Sequence, residues 1–136
     1  MGRIIAIDYG LKRTGLAVTD PGKIIATGLT TVESAQLIPF LKKYLLAEEV
    51  ELFLLGEPKN LNATDTHATP LVNRFLTELQ KHFPLIPVKR IDERFTSKMA
   101  VRTMIDSGLK KKDRQNKKLV DEIAATIMLQ GYLLQS

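Results

Sequence analysis

Three acidic residues carry the chemistry that this sequence suggests. Asp8 ends the apolar run RIIAID (3–8) and is followed by the turn-rich stretch YGLKRTG. Glu93 stands in RIDERFTS (90–97), where two adjacent carboxylates lie between two arginines just past Leu85, Ile86 and Val88. Asp121 begins a helical pattern, VDEIAATIMLQGYLL, in which it falls over Ala125 and Met128 at i+4 and i+7. Its neighbour Glu122 falls over Lys118 and Gln130, a more solvent-like line, so Asp121 is the acid expected to face a sheet. Two strand ends and one helix would thus deliver three carboxylates to one point. Such an all-oxygen set suits Mg²⁺ or Mn²⁺, which keep water ligands and bridge to phosphate oxygens. A pair of such ions activates water and stabilises the leaving oxygen in phosphodiester hydrolysis.

Each acid also has a plainer reading. Asp8 reads equally as an Asx turn bonding nearby backbone amides. Glu93 can pair with Arg90 or Arg94, which adds little if exposed. Asp121 taken alone reads as a solvated helical acid beside Lys117. Glu57, just past ELFLLG (51–56), also falls at this strand-end edge, with Lys59 as its own candidate partner.

Cations accompany these acids. The run KKKDRQNKK (110–118) holds six lysines and arginines broken by one acid. Charge runs are usually solvated loops; beside a carboxylate site, Lys110, Lys111, Lys112 and Arg114 would grip phosphates. Lys12 and Arg13, close after Asp8, extend the same patch, and Arg94 would orient Glu93 or hold phosphate. Tyr9 reads either as a base-stacking ring or as a packed hairpin aromatic.

The elements that position these groups follow from periodicity and turn signals. RIIAID (3–8), GLAVTD (15–20) and KIIATGLTTV (23–32) read as three strands of an antiparallel meander, with Pro21-Gly22 between the last two. Ser34 would cap a helix over 35–48. ELFLLG (51–56) reads as a buried strand, 66–82 as a helix, IPVKRID (86–92) as a fifth strand, TSKMAVRTMIDSG as a helix stopped at Gly108, and 117–134 as a final helix. This order predicts an α/β fold in one domain spanning 1–136. Its mixed five-stranded sheet has three antiparallel strands then two parallel ones, and helices on both faces. The crossover rule places strands four and five parallel to a central strand one, whose carboxyl ends share one edge.

Composition narrows the function. There is no cysteine and there are only two histidines, His67 and His82, far apart, which argues against thiolate, zinc and His-dyad chemistry. The net charge of +5 favours anionic partners. No stretch approaches the ~20 apolar residues of a membrane span, and charge arrives at Asp8 too early for a signal-peptide core. The chain therefore reads as cytoplasmic.

Taken as a set, DYGLKRTGLAVTD, LLGEPK, DERFTS and VDEIAATIMLQGYL resemble the YqgF/RuvX family, in the same order over nearly the whole chain. These are ribonuclease H-like proteins described as Holliday junction resolvases and as pre-16S rRNA nucleases. The resemblance implies metal-binding carboxylates at Asp8, Glu93 and Asp121. It also implies a nuclease that processes the 5′ end of precursor 16S rRNA in ribosome biogenesis, with ribosomal particles as partners. Holliday junction resolution on branched DNA, or non-catalytic nucleic-acid binding, is the alternative. A junction cutter would need a symmetric dimer; a monomer or weak homodimer fits the RNA reading. The chain departs from the family pattern at Glu57 and at LNAT (61–64), where the family has an apolar residue and MDGT. ATP-binding relatives such as sugar kinases and actin share the DxGxxxxG hairpin but bind nucleotide between two domains, and this chain has room for one.

Overall fold

The structure, a computed structural model, describes residues 2–57, 69–92 and 117–135. The opening meander is formed by β1 (Arg3–Asp8), β2 (Arg13–Thr19) and β3 (Ala26–Glu33). A 3₁₀ turn (Ser34–Gln36) leads into α1 (Leu37–Ala47), followed by β4 (Val50–Glu57), α2 (Thr69–His82), β5 (Val88–Asp92) and α3 (Lys117–Gln135). The sheet has five strands in the order β3-β2-β1-β4-β5. β2 is antiparallel to β1 and β3, while β4 runs parallel to β1 and to β5. The central place of β1 and the common edge of three carboxyl ends are as expected.

Alternation along the strands divides the core between two faces. Ile5, Ile7, Leu16, Val18, Phe53 and Leu55 point to one face, where α1 supplies Leu37 and Leu41 and α2 supplies Val72, Phe75 and Leu79. Ile4, Ala6, Ala17 and Leu54 point to the other, against Ala125, Met128 and Leu129 of α3. Full burial of one such Leu or Phe contributes about 1.5–3 kcal/mol, so the first face carries most of the hydrophobic stabilisation. No helix among the described residues is long and apolar enough to cross a membrane.

Two local differences from the sequence reading have physical causes. β3 begins at Ala26 rather than residue 23 because Asp20 Oδ1 accepts from the amides of Ile24 and Ile25, both at 2.8 Å. Those two amides are held in the turn, where Lys23 adopts a left-handed φ of 59°. Ser34 does not cap α1; its Oγ donates to the Gly10 carbonyl at 2.6 Å, and α1 starts three residues later without a side-chain cap. The helix expected in TSKMAVRTMIDSG lies outside the described residues, as does LNAT.

Candidate functional site

Asp8 is the last residue of β1, and its even position puts it on the α3 face after Ile4 and Ala6. Its partner across β2 is Gly15. On the other side, Ile7 pairs with Leu55 in a parallel ladder, so the next step brings Asp8 beside Gly56. A glycine on each neighbouring strand leaves this half-buried carboxylate without flanking side chains in its own row. Thr31 of β3 continues the row beyond Gly15.

The turn after Asp8 is fixed by its own backbone and by Ser34. A side chain at Gly10 would run into the carbonyl oxygen of Arg13, so the DYG step demands glycine. The Ser34 amide donates to the Lys12 carbonyl at 2.9 Å, and the Thr14 and Ser34 hydroxyls are 2.8 Å apart. Tyr9, one residue past Asp8, turns to the opposite face and stacks on Phe75, with centroids 4.5 Å apart and an interplanar angle of 11°. Its ring is a packed hairpin aromatic.

α3 lies across β1, β2 and β3 on the face that Asp8 shares. Ala125 and Met128, four and seven positions on from 121, are 0% and 3% exposed and pack on the sheet. The side chain of Asp121 is outside the described set. Glu122, expected on a solvent-like line, is half-buried instead and lies over Gly28 of β3. A Cβ built on Gly28 would come within 2.9 Å of Glu122 Cγ. The cause is the course of α3 over the edge strand, which brings Glu122 against β3, while Gln130 on the same line stays exposed. Farther along, Lys89 of β5 sits over the Tyr132 ring, 4.9 Å from its centroid.

Of the expected cations, Lys12 is exposed and Arg13 half-buried at the β1–β2 turn. Arg90, named as a possible partner of Glu93, donates through Nη2 to Asn73 Oδ1 of α2 at 2.8 Å. Glu93, Arg94, Lys110, Lys111, Lys112 and Arg114 lie outside the described residues, as do Lys59 and the side chain of Glu57. The described sheet nonetheless ends β4 and β5 side by side, with Glu57 paired to Asp92. Among the described residues no three His, Asp or Glu side chains gather as a metal site. The contributions of Ser34, Thr14 and Gly28 went unread in the sequence. The only available signal was the need for something to hold a glycine turn and a helix that approaches closely.

A family model described as "RuvX: Holliday junction resolvase" matches residues 2–135. The chain belongs to the RuvX family. Relatives named "Putative pre-16S rRNA nuclease" include one from Flavobacterium psychrophilum, 59% identical over 98% of this chain and 97% of the relative. Another, from Christiangramia forsetii, is 56% identical over 99% of this chain and 100% of the relative. A third, from Bacteroides thetaiotaomicron, is 53% identical over 98% and 96%. Among solved structures, T. thermophilus RuvC in complex with Holliday junction substrate matches with a TM-score of 0.63 at 18% identity, over 100% of this chain and 97% of that one. That likeness bears out the ribonuclease H-like arrangement of the sheet, and RuvX membership bears out the resemblance read from the four motifs.

Proposed function

We propose that this RuvX-family protein is a divalent-metal-dependent nuclease that trims precursor 16S rRNA at its 5′ end during ribosome biogenesis in the cytoplasm. The observation that carries the reading is Asp8: a carboxylate ending the central strand, with a glycine on each neighbouring strand, on the face covered by α3. The rRNA substrate is supported by the names of relatives at 53–59% identity over nearly the whole chain.

The donor set fits a hard cation, because carboxylate oxygens with no thiol or imidazole suit Mg²⁺ or Mn²⁺. Asp8, Glu93 and Asp121 would hold it. Glu93 directly follows β5, and counting in twos from Lys89 and Ile91, which touch α3-face residues, reaches position 93. The same count on β4, through Leu52 and Leu54, reaches Gly56 and skips Glu57, which favours Glu93 over Glu57 as ligand. Bound metal supplies an activated water and charge stabilisation at the leaving oxygen. The chain's own contribution is to hold the acids in place: the Ser34 bonds fix the turn after Asp8, and α3 packs closely on small residues. Lys12, Arg13, Arg94, Lys110, Lys111, Lys112 and Arg114 would bind the substrate backbone.

Asp8→Asn keeps the shape and removes the charge. It should cut Mn²⁺- or Mg²⁺-dependent cleavage of precursor rRNA by about 100-fold or more, since metal sites supply several kcal/mol of charge stabilisation. Asp121→Asn should do the same, whereas Glu122→Gln, whose side chain lies over Gly28, should keep most of the activity. Undiminished cleavage by Asp8→Asn would sink the proposal. The family description favours a second reading, junction resolution. A substrate panel with a four-way junction, run beside sizing of the protein in solution, separates them: a monomer or weak homodimer that cuts only RNA leaves the first reading standing.

A further inference from the structure

Beside the turn that follows Asp8 is a hollow of about 480 Å³, lined among the described residues by Leu11, Lys12, Arg13, Glu33 and Ala35. Its volume is that of a small-molecule site, roughly 300–1,000 Å³. It opens at the same end of the sheet as Asp8, because β3 ends there and Arg13 faces Glu33 across the β2–β3 ladder. The rim is held in shape: Ser34, between Glu33 and Ala35, bonds through its amide to Lys12 and through its hydroxyl to Gly10.

The lining is mixed in a way that backbone binding alone does not explain. A site for phosphate would be all donors, yet the acid Glu33 is part of the lining. A site for duplex backbone would have no use for Leu11, which is 71% exposed. An apolar side chain, two cations and one carboxylate within a single hollow match the parts of one unpaired nucleotide. Leu11 would lie against the base face, Lys12 and Arg13 would hold its phosphates, and Glu33 would accept hydrogen bonds from the base edge. Only guanine offers a carboxylate two adjacent donors, N1–H and the N2 amino group. Adenine and cytosine offer one amino group, and the single N–H of uracil stands between two carbonyls that repel the acid.

We infer that this hollow is a nucleotide subsite which takes an unpaired base, guanine before the others, next to the point of cleavage. Its place beside a cut rests on the nuclease reading above; its binding does not. Recognition of this kind selects single-stranded ends or bulges over continuous helix, because paired bases present neither face nor Watson–Crick edge.

The test is equilibrium binding of labelled oligonucleotides in chelator, where no cleavage occurs. Oligouridine, the same strand with one central guanosine, and a blunt duplex of equal length are compared. Wild type should prefer the guanosine strand over oligouridine roughly fivefold or more, the range of one bidentate base contact. Glu33→Gln should bring that ratio to about twofold or less, and Leu11→Ala should weaken both single strands while sparing the duplex. Both residues are exposed, and thermal melts would verify that the variants fold. A guanosine-to-uridine ratio unchanged by Glu33→Gln would overturn the inference and make Glu33 a cross-strand companion of Arg13. Tight duplex binding equal to that of single strands would overturn it too. Either result could occur with Asp8-dependent cleavage intact, so the two proposals fail separately.

Discussion

The two faces of the sheet are built from different materials. Toward α1 and α2 the contacts are among large side chains, with Phe53, Ile5, Ile7, Leu16, Leu37, Leu41 and Leu79 essentially inaccessible. Toward α3 small residues are frequent, Ala6, Ala17, Gly28 and Ala125, with Ile4, Leu54, Met128 and Leu129 filling in. Large side chains make stability and set helices at a distance; small ones give up buried area and let a helix come close. The helix that comes close is the one carrying Asp121, and the face it covers is the one on which Asp8 ends. On the site proposed above, stability and chemistry would fall on opposite sides of one sheet.

Substitutions on each face should therefore fail differently. The largest expected effect on stability is Phe53→Ala. It opens a cavity in the large-residue face and should lower unfolding free energy by about 3–5 kcal/mol in denaturant titration. Where the protein remains folded, metal-dependent cleavage per folded molecule should change little. Ala125→Leu overfills the small-residue face and should cost about 1–3 kcal/mol. Because it pushes α3 off the sheet, its cleavage rate should fall by more than the folded fraction does. Equal behaviour of the two variants would erase the distinction between the faces.

Gly28→Ala sharpens the comparison. The new methyl would meet Glu122 at its Cγ and Cδ, 2.9 and 3.0 Å away, and should cost on the order of 1 kcal/mol. With Glu122→Ala already present, the same change should be neutral or stabilising, because glycine inside a strand is itself unfavourable. Additive effects in that double-mutant cycle would mean that the close approach of α3 is not what keeps glycine there.

The smallest effect belongs to neither face. Backbone amides of Ile25, then Ile24, bonding to the Asp20 carboxylate hold its pKa below the usual value of 3.8. A lowered folded pKa means stability present above the unfolded pKa and lost as pH falls through the folded one. Asp20→Asn should lower Tm slightly near neutral pH, and the gap to wild type should close in acid below the ordinary carboxylate range. A gap that persists there would assign the effect to hydrogen-bond geometry rather than charge.

Strand order and direction were legible because they rest on apolar runs and on connection lengths, which are local properties of the sequence. RIIAID could only be a buried strand, and Pro21-Gly22 could only be a turn between β2 and β3. Details that depend on two distant segments meeting were not legible. Ser34 has the residue type of a helix cap, yet the carbonyl that wins its hydroxyl belongs to Gly10, 24 residues earlier. Glu122 counts as solvent-facing on an isolated helix, and becomes half-buried only because α3 reaches the edge strand. Asp8 was identifiable from its place after an apolar run. The glycines on both sides of it became meaningful only with the register, since Gly15 and Gly56 come from different strands.

Tyr9 and Phe75 make this site visible to light. The chain has no tryptophan and three tyrosines, so its ultraviolet emission comes from Tyr9, Tyr44 and Tyr132. Tyr44 belongs to α1 and Tyr132 to the far half of α3, beside Lys89. Tyr9 alone is covalently joined to Asp8, and its ring is clamped against Phe75 at a fixed angle. A chromophore held rigidly in an asymmetric setting gives a near-ultraviolet circular dichroism signal, and any shift of the Asp8 backbone is passed directly to it. With Tyr44→Phe and Tyr132→Phe in place, the unlabelled protein would carry a single-residue spectroscopic gauge of events at the end of β1.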